Sequence, residues 1–371
     1  MTGASVIAAA WPEWEVVRDI GEGTFGAVFE VRRRDVAGFT AAVKIIPVPT
    51  DRGDIEALRA DGFREEEIEE YLGRLAEDWL GEIQIMKRYQ GTSHFVSIED
   101  CRILPRTDGI PGRWILIRME MLKSLNEYLS DKTLTEVEVT DLGLQLCAAL
   151  SVCHADGVLH RDIKPGNIFV NDRLRSGVVY KLGDFGASRK MEYTTGSQSV
   201  KGALAYMAPE VIQKQRYDRR ADIYSLGLTM YRLLNGSRLP FLPARNLFTH
   251  EDHAVAMRMR LMGTPLPDAA DASEAMNRVL RKACAADPEE RYPSADAFAE
   301  ALREVQRGPA PKRERKDGRK NRLRIAAACA AVVLLGAAAW LIARPSCGGP
   351  RKGEQRTPPP MLVVFDRRTQ P

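Results

Sequence analysis

The sequence predicts an α+β chain, with a β-rich section near its N-terminus, helical segments after it and one membrane-spanning helix. Three observations carry this expectation. Trp14–Ile20 and Ala27–Val31 read as strands on either side of a glycine-rich stretch, and Ala41–Ile46 adds a further apolar strand. Apolar residues then recur at helical spacing, first at Ile68, Tyr71, Leu72, Leu75, Trp79, Ile83 and Met86 and later at Leu142, Leu146 and Leu150. Residues 325–343 carry no charged side chain.

The composition sets the class. With 371 residues, 44% hydrophobic and 28% charged, the chain is ordinary globular protein and long enough for two or three domains. Its cysteines (Cys101, Cys147, Cys153, Cys284, Cys329 and Cys347) form no CxxC pair and no His-linked spacing, which argues against a structural zinc and for a reducing compartment around residues 1–306. The net charge of +4 hides an asymmetry: residues 307–324 carry +7 and residues 344–371 carry +4, so residues 1–306 carry −7. An acidic main body argues against nucleic acid as a partner.

In chain order, residues 1–13 form an N-terminal extension. Its apolar run Val6–Trp11 lacks a basic flank, so no signal peptide is expected. The strand Trp14–Ile20 runs into Gly21-Glu22-Gly23-Thr24-Phe25-Gly26, where glycines let a backbone close over phosphates. A dinucleotide-binding fold would place a helix next, but Ala27–Val31 is a strand, so that reading fails and a plain hairpin stays open. Lys44 then sits inside the apolar strand Ala41–Ile46. A buried ammonium there needs an anionic partner, a phosphate or a carboxylate, unless it snorkels from an edge strand.

Farther on, His160-Arg161-Asp162-Ile163-Lys164-Pro165-Gly166-Asn167 precedes a hairpin, Ile168–Val170 with Val178–Tyr180, that leads into Gly183-Asp184-Phe185-Gly186. Asp162 can accept a hydroxyl proton, and Asn167 and Asp184 offer hard oxygen ligands for Mg²⁺, which together fit metal-assisted phosphoryl transfer. An isolated Asp-Phe-Gly means little, whereas this order and spacing are specific.

On these motifs, with Ala208-Pro209-Glu210, Asp222–Gly227 and Arg291, the chain resembles the eukaryotic-type (Hanks-type) protein kinases over residues 14–306. The resemblance implies a two-lobed fold, a small β-rich lobe with an extended αC helix and a larger helical lobe. It implies that Gly21, Gly23, Gly26 and Val28 cover ATP, that Lys44 contacts its α and β phosphates, and that Met119 is the gatekeeper with Glu120 and Leu122 as the hinge. Asp162 would orient the acceptor hydroxyl and Lys164 would steady the γ-phosphate. Asn167 and Asp184 would bind Mg²⁺, with Mn²⁺ as the substitute. Glu210 would pair with Arg291, and Asp222 would hold the catalytic-loop backbone. Lys164 marks the Ser/Thr subclass, and proteins with Ser/Thr acceptors are the implied substrates.

Some assignments are particular to this chain. Glu82 is the expected carboxylate partner of Lys44, with Glu77 as the fallback, and the 38-residue gap between Lys44 and Glu82 implies an insertion that extends αC at its N-terminal end. Its acidic residues Glu65–Glu67, Glu69 and Glu70 read as a solvated face. Ala203 stands where Ser/Thr kinases carry a threonine. Arg161 gives a phosphate on the loop before Ala208-Pro209-Glu210 a cationic partner, so autophosphorylation is expected there, with Thr194 and Thr195 as the sites. The rival class is a pseudokinase-like scaffold. A small-molecule phosphotransferase is disfavoured by Lys164 and by the Ala208-Pro209-Glu210 segment.

Residues 325–343, IAAACAAVVLLGAAAWLIA, would span about 28 Å as a helix, close to the ~30 Å hydrocarbon core of a bilayer. Residues 307–324 form a basic linker before it, and 344–371 form a short Pro/Arg-rich tail. Nine basic residues precede the span and six follow it, which places the catalytic part in the cytoplasm and the tail on the far side. Small residues repeat at Ala326/Ala330 and Ala327/Ala331, a pattern compatible with a homodimer but expected by chance in so alanine-rich a helix.

Overall fold

A five-stranded antiparallel sheet, covered on both faces, begins the architecture. The computed structural model describes residues 3–23, 26–175, 177–184, 204–245 and 247–308. Within the unit Met1–Ala310, helix α1 (Gly3–Ala10) precedes β1 (Trp14–Gly23), β2 (Gly26–Arg33), β3 (Thr40–Val48), β4 (Ile98–Pro105) and β5 (Arg113–Glu120). The strand order is β1-β2-β3-β5-β4.

Strict alternation assigns the two faces. Ala41, Val43 and Ile45 of β3 and Leu116 of β5 pack with Val6, Ile7, Trp11 and Trp14 beneath α1. Ala42, Ile46, Ile115, Ile117 and Met119 turn to the other face and join the main core. Because both faces are covered, β3 reads as a nearly continuous apolar run, and Lys44, in the same alternation as Ala42 and Ile46, is placed on the inner side. Gly26 starts β2 at φ +154°, where a Cβ would lie 1.9 Å from the Ile45 carbonyl oxygen, so a side chain there would disrupt the β2–β3 pairing.

Two helices follow β3. A capping box, Asp51 with Asp54, starts α2 (Arg52–Ala60). Helix α3 (Glu65–Arg88) buries Ile68, Leu72, Ala76, Trp79, Ile83 and Met86 on one stripe, with Glu65–Glu67 in its first turn and Lys87 and Arg88 in its last, as the helix dipole favours. The expected extension of αC is therefore a single 24-residue helix, preceded by a short separate one. Arg59 pairs with Glu65 through both carboxylate oxygens (2.6 and 3.0 Å), and the buried Arg106 guanidinium donates to the Pro49 carbonyl, which ties the insertion to the β4–β5 hairpin.

The larger lobe comprises α4 (Leu125–Tyr128), α5 (Glu136–Ala155), a small β6-β7-β8 sheet (Lys123–Ser124, Ile168–Asn171, Val179–Leu182), α6 (Pro209–Ile212), α7 (Arg220–Leu233), α8 (His250–Leu261), α9 (Glu274–Ala283) and α10 (Ala295–Arg307). Helix α7 is buried along almost its whole length. Its inward polar groups find partners: the Ser225 hydroxyl donates to Tyr206 O, the Thr229 hydroxyl to Ser225 O, and Asp222 accepts three hydrogen bonds. Glu210 and Arg291 form a buried bidentate pair at 2.7 and 2.8 Å. No helix among the described residues is long and apolar enough to cross a membrane, and residues 325–343 lie outside them.

Candidate active site

A cavity of about 350 Å³ opens between the five-stranded sheet and the small β6-β7-β8 sheet. Ile20, Gly21, Val28 and Ala42 line it from β1–β3, and Met119, Glu120 and Leu122 line it from the end of β5 and the residues after it. Gly23 and Gly26 face each other across the β1–β2 turn. This apolar slot with a strand terminus at its back suits a flat heteroaromatic group whose edge needs backbone partners.

Charged groups gather at the other end. Lys44 Nζ lies 2.8 Å from Asp184 Oδ1, with the lysine side chain 7% exposed and the aspartate 31%. Burial would raise the Asp184 carboxyl, but the adjacent Lys44, with Lys164 and His160 farther off, holds it below its ordinary value, so it is an anion at neutral pH. Glu82 lines the same cavity from α3, whereas Glu77 sits on the exposed side of that helix. Of the two carboxylates expected near Lys44, it is Glu82 that the fold brings to the cavity, and Asp184 is in direct contact with the ammonium.

Asp162 is almost fully buried and well held. Its Oδ2 accepts from Lys164 Nζ (2.8 Å) and from Asn167 Nδ2 (2.7 Å), and the same amide donates to the Asp162 carbonyl (2.8 Å). Oδ1 carries no hydrogen bond among the described residues, so it can accept from an incoming hydroxyl. Asn167 presents its nitrogen to Asp162, which turns its amide oxygen the other way and leaves it free to ligate. With Asp184, this makes a pair of hard oxygen donors, the set that suits Mg²⁺ or Mn²⁺ completed by phosphate oxygens and water. Among the described residues no cluster of three or more His, Cys, Asp or Glu side chains offers an alternative metal site.

The loop that carries Asp162 is fixed from below. Asp222 accepts from the His160 and Arg161 backbone N–H groups (2.9 and 2.8 Å) and from His154 Nε2 (2.8 Å). Burial would raise the Asp222 carboxyl, yet His154, His160 and the Arg161 N–H together keep it below its ordinary value. His160 Nε2 donates to the Gly183 carbonyl (3.0 Å) while Nδ1 faces the Asp162 N–H at 3.4 Å, and burial lowers its pKa, so the imidazole is neutral. Arg161 (φ +69°) and Asp184 (φ +54°) both adopt the left-handed backbone region. Such strain at non-glycine residues gathers where a site needs its groups aimed rather than relaxed.

Residues 14–302 match the family model for the protein kinase domain. The chain belongs to this family. Curated relatives of this chain include serine/threonine-protein kinases. TIO of Arabidopsis thaliana is 34% identical over 60% of this chain and 15% of its own length. PknJ of Mycobacterium tuberculosis is 35% identical over 51% of this chain and 32% of its own. Pkn1 of Myxococcus xanthus is 35% identical over 57% and 29%, respectively. The matched stretch thus spans a third or less of each of these relatives.

Within the kinase fold the cavity also draws on residues that the motifs did not flag. Trp79, three residues before Glu82 and therefore on the same face of α3, lines its inner end, and Ser124 and Glu127 line it from the start of α4. Trp79 belongs to the apolar stripe read from the sequence, and its i, i+3 spacing from Glu82 is the signal that would have put it at the cavity. Thr194, Thr195 and Ala203 lie outside the described residues.

Proposed function

We propose that this chain is an ATP-dependent protein serine/threonine kinase. The observation that carries the reading is the convergence on one cavity of the Lys44–Asp184 pair and the Asp162–Lys164–Asn167 cluster. Val28, Ala42 and Met119 would hold adenine, with the backbone of Glu120 and Leu122 at its edge. Lys44 neutralises phosphate oxygens, and Lys164 bridges the γ-phosphate side of the site to Asp162. The acceptor hydroxyl approaches Asp162 Oδ1, which orients it and takes its proton as the new O–P bond forms and ADP leaves. Magnesium, held by Asn167 and Asp184, supplies positive charge to the phosphates when bound. Lys164, in the His-Arg-Asp-x-Lys form, and the printed names of the relatives both support Ser/Thr hydroxyls as acceptors.

The same proposal extends to place and control. The uncharged window 325–343, flanked by basic residues, supports a single-pass anchor with the catalytic domain on the cytoplasmic side and the tail 344–371 beyond. Thr194 and Thr195, which lie in sequence between Asp184 and the Ala208-Pro209-Glu210 segment, with Arg161 as a cationic partner for a phosphate, support activation by autophosphorylation.

The test is transfer of label from γ-labelled ATP with Mg²⁺ by the full chain, on itself and on a generic protein acceptor, beside Asp162→Ala and Lys44→Ala. Label on Ser or Thr that disappears in both variants is expected, with Thr194 or Thr195 among the mapped sites. Carbonate-resistant sedimentation with membranes, lost on deletion of 325–343, is expected for the anchor. Nucleotide binding without any transfer would replace the kinase by a scaffold.

A further inference from the structure

The Glu120 carboxylate joins three parts of the molecule that meet behind the cavity. Its Oε1 accepts from Lys181 Nζ at 2.6 Å and from the Ser97 backbone N–H at 2.7 Å, and the Glu120 N–H in turn donates to the Ser97 carbonyl at 3.1 Å. The two side chains are largely enclosed, Lys181 12% and Glu120 24% exposed. Glu120 is the last residue of β5, at the rim of the nucleotide cavity, whereas Lys181 belongs to β8 in the other sheet. The segment that carries Ser97 is laced to β8 as well, with Leu182 N donating to His94 O and Val96 N to Leu182 O, both at 2.9 Å.

β8 is the strand that delivers Asp184. After Lys181 come Leu182, held by His94 and Val96, and Gly183, whose N–H donates to Asn167 O and whose carbonyl accepts from His160. The phosphate end of the site therefore has its own fixings: Lys44, Asn167 and His160. The hinge end reaches β8 through a side chain only at the Lys181–Glu120 contact among the described ion pairs, a charge-assisted hydrogen bond shielded enough to hold one geometry.

We propose that Lys181 is a positioning residue for nucleotide binding: its ion pair with Glu120 fixes the hinge against β8, so that the adenine edge and the Asp184 end of the site are held at one separation. The inference rests on the ATP reading above. Loss of the ammonium leaves the Glu120 carboxylate to the Ser97 N–H, and the hinge is then tied to β8 only through backbone bonds of neighbouring segments, so its separation from Asp184 is less tightly set. Affinity for ATP then falls, while turnover on the bound nucleotide, set by Asp162, Lys164 and Asp184, is retained.

The experiment compares steady-state kinetics of the full chain with those of Lys181→Met, Lys181→Gln and Lys181→Arg. Lys181→Met and Lys181→Gln are expected to raise KM for ATP by about five- to tenfold with kcat within twofold, and Lys181→Arg, which keeps charge and donor, to stay within twofold of the parent in both. An unchanged KM in Lys181→Gln overturns the proposal, whether or not Lys181→Met folds, and so does an equal rise in all three variants. A merely structural lysine would lower the melting temperature and leave KM where it was. A parent chain that neither binds nor turns over ATP would sink the kinase reading itself, which these variants do not address.

Discussion

Replacing Arg291 by methionine should remove a large part of the stability of the domain. The Arg291 side chain is fully buried, and all five of its N–H donors are used: two go to Glu210 (2.7 and 2.8 Å), and one each to the carbonyls of Arg220 (3.2 Å), Ala285 (2.7 Å) and Ala286 (3.0 Å). Methionine fills much of the volume but donates nothing, and it leaves the Glu210 carboxylate, 5% exposed, without its counter-charge. Breaking a buried pair from one side costs about 3–5 kcal/mol, against a net domain stability of about 5–15 kcal/mol. The double replacement Glu210→Leu with Arg291→Met removes the stranded charge, though not the three carbonyls left without a donor, and should recover the part of the loss that the Glu210 charge causes. Urea unfolding of the full chain, followed by tryptophan fluorescence, reads both variants as midpoint shifts, with the single variant moved by on the order of 1–2 M. A single variant within 1 kcal/mol of the parent, or a double variant no better than the single, would refute the reasoning.

Three further outcomes are expected. Gly26→Ala places a Cβ 1.9 Å from the Ile45 carbonyl oxygen at φ +154°, so it should cost about 1–3 kcal/mol in thermal unfolding and raise KM for ATP by loosening Val28 over the cavity. Asp162→Asn keeps the shape of the buried cluster but removes the proton acceptor; kcat should fall by about 10²- to 10⁴-fold with little change in KM for ATP, and a drop below tenfold would remove Asp162 from the role assigned to it. His160, neutral in the fold because burial lowers its pKa, binds its proton more readily when unfolded; stability should therefore be full above about pH 6.5 and fall as the pH drops below it, by at most ~1.4 kcal/mol per pH unit for this one group. Unfolding free energies of the parent and of His160→Phe between pH 5 and 7.5 check this, since the variant should lack that part of the slope.

Where local pattern and tertiary role coincide, the sequence is readable. Lys44 in an apolar strand announces a buried ammonium, and a strand rather than a helix after Gly26 excludes a dinucleotide-binding turn. The hairpin before Asp184 appears as two short apolar runs, and β7 and β8 pair antiparallel over Ile168–Asn171 and Val179–Leu182. Helix α3 is visible because its stripe runs for 24 residues, long enough for a 3.6-residue period to declare itself. Helix α1 has only eight residues and a nearly uniform apolar composition, so it carries no period to read. Lys181 gives no local signal either: it looks like an ordinary polar position on a half-buried strand, and its meaning comes from Glu120, 61 residues away. The carboxylate in contact with Lys44 is similarly a matter of tertiary placement, because Glu82 from α3 and Asp184 from the residues after β8 both reach the one cavity.

The outer face of the sheet carries a practical consequence. Val6, Ile7 and Trp11 are buried against β2, β3 and β5, and Trp11 Nε1 also donates to Asp100 at 2.9 Å, while the Arg118 guanidinium lies over both Trp11 and Trp14. Each such side chain contributes roughly 1.5–3 kcal/mol when taken out of water, so the three together rival the net stability of a domain. The stretch recognisable as kinase begins at residue 14, but the stretch that folds begins earlier. A catalytic fragment trimmed to the recognisable boundary would expose a bare apolar strip of Val31, Val43 and Ile45, prone to self-association, and its inactivity would say nothing about the chemistry of the cavity on the other side of the sheet.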